Sequence, residues 1–233
     1  MITSPHNPLL KDIRRLQRRR DERFVAEGED LVEAAAAAGW PAEATLRAGV
    51  DVEPELLDRV SALGSGTRVV GVYRERWDRP TGPLCVALWG VGDPGNVGTV
   101  LRGAQAFGAG SVAIGPSSAD PFGPKAVRAS MGAVFAVPVA RVAAPGELAG
   151  DTVALVAHGG DPLAEVAAEL IGERRPASRR VVTVVVGAER SGVPEAVAEA
   201  CERRATIPIA AESLNAAMAA TVALYELTRI PAP

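Results

Sequence analysis

The residues with most to offer chemically are Asn96, Arg102, Glu189 and Asn215, each placed where an apolar run gives way to a helix pattern. In DPGNVGTVLRGAQAFG, Asn96 can both donate and accept at a helix start, and Arg102 presents a planar fork able to hold a phosphate or carboxylate. In VVTVVVGAERSGVPEAV a β-branched strand runs into Gly187, Glu189 and Gly192, and Pro194 opens the next helix. Glycines let a backbone approach a ligand closely, and helix-start N–H groups bind polar ligand atoms. In ATIPIAAESLNAAMAATVALYELT, Ser213 suits an N-cap and leaves Asn215 two residues inside the helix, where its amide competes with the backbone. Local rules fail there, as they tend to at functional sites. Each segment alone also has a plain structural explanation: a capping asparagine with a surface arginine, a strand-to-helix turn, and a capped helix.

The elements that must position these residues alternate between strand and helix. Residues 6–20 read as a helix, FVAEG as a short strand and DLVEAAAAAGW as a helix ending near Gly39 and Pro41. ATLRAG, a helix at PELLDRVSAL and the strand RVVGV then complete a small α/β unit. RERWDRPTGP breaks the periodicity and places a linker at about residues 74–82. From Pro83 the expected order is LCVALW as strand, a helix through TVLRGAQAFG, strand SVAIG, a helix near KAVRAS, and strands FAVPV, TVALVA, VVTVVVG and ATIPI. A final helix covers SLNAAMAATVALYELT. Near-continuous apolar strands separated by helices indicate a parallel sheet covered on both faces, whose ligands bind at the carboxyl ends of strands.

Composition narrows the function classes. At 233 residues, with 48% hydrophobic and 23% charged residues, the chain suits a globular protein of two units. No apolar stretch approaches the roughly 20 residues that span a bilayer. The start has no signal-peptide pattern, so a cytoplasmic protein is expected. Cys85 and Cys201 are far apart and read as buried small hydrophobes, and with only His6 and His158 no metal site is expected. The net charge of −3 hides a basic start: residues 1–23 carry seven cations, among them Lys11, Arg14, Arg15 and Arg18, against three anions. Such a segment can meet phosphate or form a solvated helix face.

Gly90, Gly92 and Gly95 match the GxGxxG spacing of a dinucleotide loop between a strand and a helix. Pro94 disfavours a helical conformation at Asp93 inside that loop, and the only acid placed to meet a ribose, Asp120, falls well into a later loop. A nicotinamide-dependent Rossmann oxidoreductase is the weaker reading.

Taken together, DPGNVGTVLRGAQAFG, VVVGAERSG and IPIAAESLNAAMA, with PKAVRASMGAVFAVPV between the first two, resemble the three ordered motifs of the SpoU (TrmH) family of RNA 2′-O-ribose methyltransferases, in the SPOUT superfamily. The resemblance covers about residues 83–230. SPHNPLLKDIRRL and FVAEGEDLVEAA resemble, less specifically, the accessory RNA-binding domain that many members carry first. The implied organisation is an accessory RNA substrate-binding domain at 1–75 and a SPOUT catalytic domain at 83–233. The latter is an α/β domain with a parallel sheet and a deep trefoil knot, a topology that pattern reasoning alone does not propose.

The resemblance also implies a chemistry. S-adenosyl-L-methionine is the expected methyl donor, held in a bent form by strand-end loops at Gly187, Ile207 and Leu214, mostly through backbone groups. Arg102 is expected beside the target ribose and phosphate, stabilising the developing alkoxide; with a side-chain pKa above about 12 it is a poor general base. Asn96 and Asn215 are expected to orient sugar and loops, with Ser213 beside them, and Glu189 to fix its loop by accepting backbone N–H bonds. A homodimer sharing its RNA site between subunits is implied, with ribosomal RNA as the substrate and Lys11, Arg14, Arg15 and Arg18 binding phosphate. A tRNA methyltransferase, or an RNA-binding relative without cofactor, remains open at this point. IPIAAESLN is roughly two residues shorter than the family pattern, which implies either an altered cofactor pocket or residues absent from the sequence.

Overall fold

The computed structural model describes residues 1–18, 21–63, 66–172 and 181–228. Arg19 and Arg20, part of the expected basic segment, lie outside them. The first unit starts with α1 (Pro8–Leu16), where Asn7 Oδ1 accepts the Leu9 N–H at 2.9 Å and Pro8 supplies a preset first turn. The helix is therefore shorter than the expected 6–20. Then come β1 (Arg23–Glu27), α2 (Glu29–Ala37), β2 (Ala44–Arg47), α3 (Pro54–Val60) and β3 (Val69–Arg74). The three strands pair antiparallel in the order β1-β3-β2. Leu10, Ile13 and Leu16 of α1 and Leu56, Leu57 and Val60 of α3 close one face over Val25, Val70 and Val72.

The second unit comprises β4 (Leu84–Trp89), α4 (Pro94–Ala106), β5 (Ser111–Ile114), α5 (Pro124–Ala129), α6 (Ala133–Ala136), β6 (Val139–Arg141), β7 (Asp151–Leu155), β8 (Asp161–Pro162), α7 (Leu163–Gly172), β9 (Val182–Gly187), α8 (Glu195–Ala200), β10 (Arg203–Thr206) and α9 (Ala216–Thr228). Its strands form one sheet in the order β6-β5-β4-β9-β7-β10-β8, with parallel pairings throughout. Alternation fixes the two faces: Leu84, Val86 and Leu88 of β4 face one core, and Cys85, Ala87 and Trp89 face the other. α4, α6, α7 and α9 supply the first core and α8 the second.

Two expected strands are corrected. Phe135, read as the start of FAVPV, lies in the single turn α6, entered from Gly132 at φ 91°. Pro138 then holds Val137 extended and the strand starts only at Val139. ATIPI pairs only as far as Thr206, because Pro208 has no N–H to offer a ladder.

The two units are joined by more than a linker. Phe24 of β1 is fully buried and packs 5.0 Å from Phe122 and 5.7 Å from Phe135, ring centre to ring centre. Tyr73 lies 5.1 Å from Phe135, and Trp40 donates its indole N–H to the Phe135 carbonyl at 2.9 Å. The connecting segment itself lies along the outer edge of the sheet, with Asp78 N–H donating to Val139 O at 2.8 Å. Phe24→Ala should cost about 3–5 kcal/mol, since it empties the centre of this aromatic seam. Thermal melts should show one transition lowered by roughly 10 °C.

Candidate functional site

The strand register brings the carboxyl ends of four strands level: Trp89 of β4 is opposite Gly187 of β9, Val186 opposite Leu155 of β7, and Leu155 opposite Ala205 of β10. The loops leaving β7, β9 and β10 surround a cavity of about 530 Å³, within the range of small-molecule sites. Gly187, Glu189, Ile207, Ser213 and Leu214, all expected from the sequence, line it together. At Gly187 a side chain has no room, because a Cβ would fall on the backbone of Gly192 and Val193. That backbone folds back on itself, with Gly192 N–H donating to Ala188 O at 2.8 Å and Gly192 at φ 66°.

Three residues from the three motifs meet at one point. The Asn96 side-chain amide donates to Glu189 Oε1, and Asn215 Nδ2 donates to Asn96 Oδ1 at 3.1 Å, bonds that span 93 and 119 residues of sequence. Asn215 Oδ1 in turn accepts the N–H groups of Ala217 at 2.9 Å and Met218 at 3.3 Å, so it is Asn215 that caps α9. This corrects the expectation of a Ser213 cap with Asn215 inside the helix; Ser213 is an exposed residue on the cavity rim. Glu189 was expected to fix its loop by accepting backbone N–H bonds; among the described residues the hydrogen bond it accepts comes from the Asn96 side-chain amide. The network ties the β9 loop to the starts of α4 and α9.

Arg102 stands apart from this network. It is an exposed residue of α4, about 9 Å along the helix axis from Asn96, and has no hydrogen bond or ion pair among the described residues. Lys11, Arg14, Arg15 and Arg18 do come together, lining one shallow depression on α1. Arg15 is already engaged there, 2.6 Å from both Asp12 and Asp21, whose carboxyls the Arg15 and Arg23 guanidinia hold below the usual range.

Sequence reasoning missed Asp93. Its carboxylate caps α4, accepting the N–H of Gly95 at 2.5 Å and of Asn96 at 3.3 Å, with Lys125 Nζ 3.1 Å away. Lys125 and the Gly95 N–H hold the Asp93 carboxyl below its ordinary value. Asp before Pro is a helix-start signature that the sequence offered. Arg204 and Glu195, an ion pair at 2.6 Å on the cavity wall, and His158 were missed too, and no motif marks them. The Asp93 cap also answers the dinucleotide reading, because the helix-start N–H groups that a pyrophosphate would need are occupied by the protein's own carboxylate. Burial pushes both the Cys85 and Cys201 thiols up, which leaves neither suited to nucleophilic work. Among the described residues no cluster could hold a metal ion, and no helix is long and apolar enough to cross a membrane.

Comparison with known proteins places this geometry. The model of the SpoU rRNA Methylase family matches residues 83–225, more than half of the sequence and all three loops. The chain belongs to the SpoU rRNA methylase family. Among its SpoU relatives, the 23S rRNA (uridine(2479)-2′-O)-methyltransferase of Streptomyces viridochromogenes is 35% identical over 158 residues. That match takes in 66% of this chain and 51% of the relative, so it spans about half the relative's length. The 23S rRNA (guanosine(2553)-2′-O)-methyltransferase RlmP of Bacillus subtilis is 28% identical over 253 residues, covering 97% of this chain and 98% of RlmP. The crystal structure of an AdoMet-bound rRNA methyltransferase from Sinorhizobium meliloti superposes with a TM-score of 0.84 at 30% identity, over 98% of this chain and 97% of that one. The likeness to that structure therefore extends over both units, including the basic α1.

Proposed function

We propose that this chain transfers a methyl group from S-adenosylmethionine to a ribose 2′-hydroxyl of ribosomal RNA. The observation that carries the reading is the Asn96–Glu189–Asn215 network, which fastens three motif loops beside one cavity. The cavity suits the cofactor chemically: Val186, Ile207, Leu214 and Ala216 supply apolar wall for an adenine, and the Gly187–Gly192 backbone supplies polar groups at close range. The short IPIAAESLN segment still furnishes a wall, since Ile207, Ile209, Glu212, Ser213 and Leu214 all line the space. Bound there, S-adenosylmethionine supplies an already activated methyl on its sulfonium.

The chain's own task is alignment and charge. Gly187, Ile207 and Leu214 hold the cofactor, while Asn96, Glu189 and Asn215 keep the loops in register, with the Ser213 hydroxyl at the rim. A ribose hydroxyl is a poor nucleophile near neutral pH, and Arg102 stabilises the oxygen as it gains charge, with an RNA phosphate nearby to relay the proton. Arg102 meets the ribose in a homodimer whose RNA site is shared between subunits. β9 inserted between β4 and β7, and α9 returning against α4, support the trefoil knot of the family. Residues 1–75 serve as the RNA-binding unit of a cytoplasmic enzyme, with Lys11, Arg14 and Arg18 binding phosphate and Arg15 holding the shape of that face.

Tritiated S-adenosylmethionine with unmodified bacterial 23S ribosomal RNA tests the reading directly. Label should appear as one 2′-O-methyl ribose; labelling of transfer RNA alone, or of no RNA while the cofactor still binds, would overturn it. For α1, Lys11→Glu with Arg14→Glu and Arg18→Glu should weaken ribosomal RNA binding. Every cation that no longer neutralises a phosphate should flatten the slope of log affinity against log salt by about 0.7–0.9. Unchanged salt dependence in filter binding would remove α1 from the RNA interface.

A further inference from the structure

The seam between the two units carries a pair of arginines that the proposed reaction does not use. The Arg76 guanidinium carbon lies 4.4 Å from the Trp40 ring centre, and that of Arg141 lies 3.9 Å from the Trp77 ring centre. Both indoles lie against the same buried ring, Phe122, at 6.4 and 5.1 Å. Their N–H groups are fixed, Trp40 to Phe135 O and Trp77 to Glu75 Oε2, each at 2.9 Å. Each planar cation is thus laid on a rigid aromatic support, and both arginines are exposed. A guanidinium covered on one face by an indole offers its other face as a flat, charged platform, the kind of surface on which unpaired bases stack.

Its place in the fold gives the platform a purpose. Arg141 ends β6, opposite Ile114 of β5, so it stands at the same carboxyl edge of the sheet as Trp89 and Gly187. Two strand spacings, about 10 Å, separate it from β4. The loop that carries Phe122 is hydrogen-bonded to the loop after β4, through Ala119 N–H to Val91 O at 2.8 Å.

We infer that this seam is a second RNA-binding surface, which takes an unpaired base flanking the target nucleotide on the guanidinium faces of Arg76 and Arg141. The inference rests on the ribosomal RNA reading. It is separate from the α1 depression, because it selects a splayed base rather than backbone phosphate.

The test compares the full chain with Arg76→Lys/Arg141→Lys, which keeps the charge and removes the plane, and with Arg76→Ala/Arg141→Ala. Binding of deproteinised 23S ribosomal RNA and of a short single-stranded RNA is read by anisotropy, S-adenosylmethionine binding by calorimetry, and folding by thermal melts. The lysine variant should lose about tenfold in RNA affinity, the worth of one base stack, with cofactor binding unchanged. RNA should also quench tryptophan emission in the wild type and not in the variants. Full affinity in the lysine variant would overturn the inference, whether or not the alanine variant weakens, because charge alone would then suffice. If the wild-type chain binds cofactor but neither RNA, the ribosomal RNA reading itself falls.

Discussion

Arg102→Ala is expected to lower methyl transfer by about 100-fold or more, the scale set by removing one preorganised donor from a developing oxyanion. Cofactor affinity, oligomeric state and melting temperature should stay where they are. The side chain is exposed and unpartnered among the described residues, and such surface changes move stability by only about 0.5 kcal/mol. A fall in rate therefore reports chemistry rather than folding. Arg102→Lys separates charge from the planar fork and should recover only part of the rate. Undiminished turnover of Arg102→Ala on its RNA would remove Arg102 from the reaction.

Gly187→Ala is expected to act on the other half of the site. The new Cβ would fall on the Gly192 carbonyl and the Val193 nitrogen, backbone atoms that cannot rotate aside. Overpacking of this kind costs about 1–3 kcal/mol, which becomes roughly 10- to 100-fold weaker S-adenosylmethionine binding if the loop opens to relieve it. Gly92→Ala is the matched control, since a Cβ there meets nothing within 4 Å. Calorimetry that finds equal affinity in both variants would show that the Gly187–Gly192 loop does not form the cofactor wall.

The parts of this architecture legible in the sequence are those governed by local rules. β4 and β9 follow from unbroken apolar runs, α4 from the helix pattern of TVLRGAQAFG, and the connection near 74–82 from its prolines and glycine. α6 escaped because FAVPV has strand-like composition, while Gly132 and Pro138 decide its backbone. Asn215 was singled out for the wrong reason: its amide caps α9 and meets Asn96, and only the second interaction is unusual. The Asn96–Glu189–Asn215 network depends on loops brought together by the sheet, so no window of sequence contains it. The same is true of the aromatic seam, where Phe24, Trp40 and Tyr73 look like the private core of the first unit until Phe122 and Phe135 appear against them.

The two borders of the parallel sheet have a consequence for how this protein behaves at high concentration. An open sheet border with free N–H and C=O groups invites another chain to add a strand, and that is a common route to aggregation. On the β6 side the segment around Asp78 occupies the position such a strand would take. On the far side β8 is only Asp161–Pro162, and its proline has no N–H with which to extend a ladder. With both borders closed, association through this sheet has to use its helical surfaces, where side-chain shape and not backbone hydrogen bonding sets the stoichiometry.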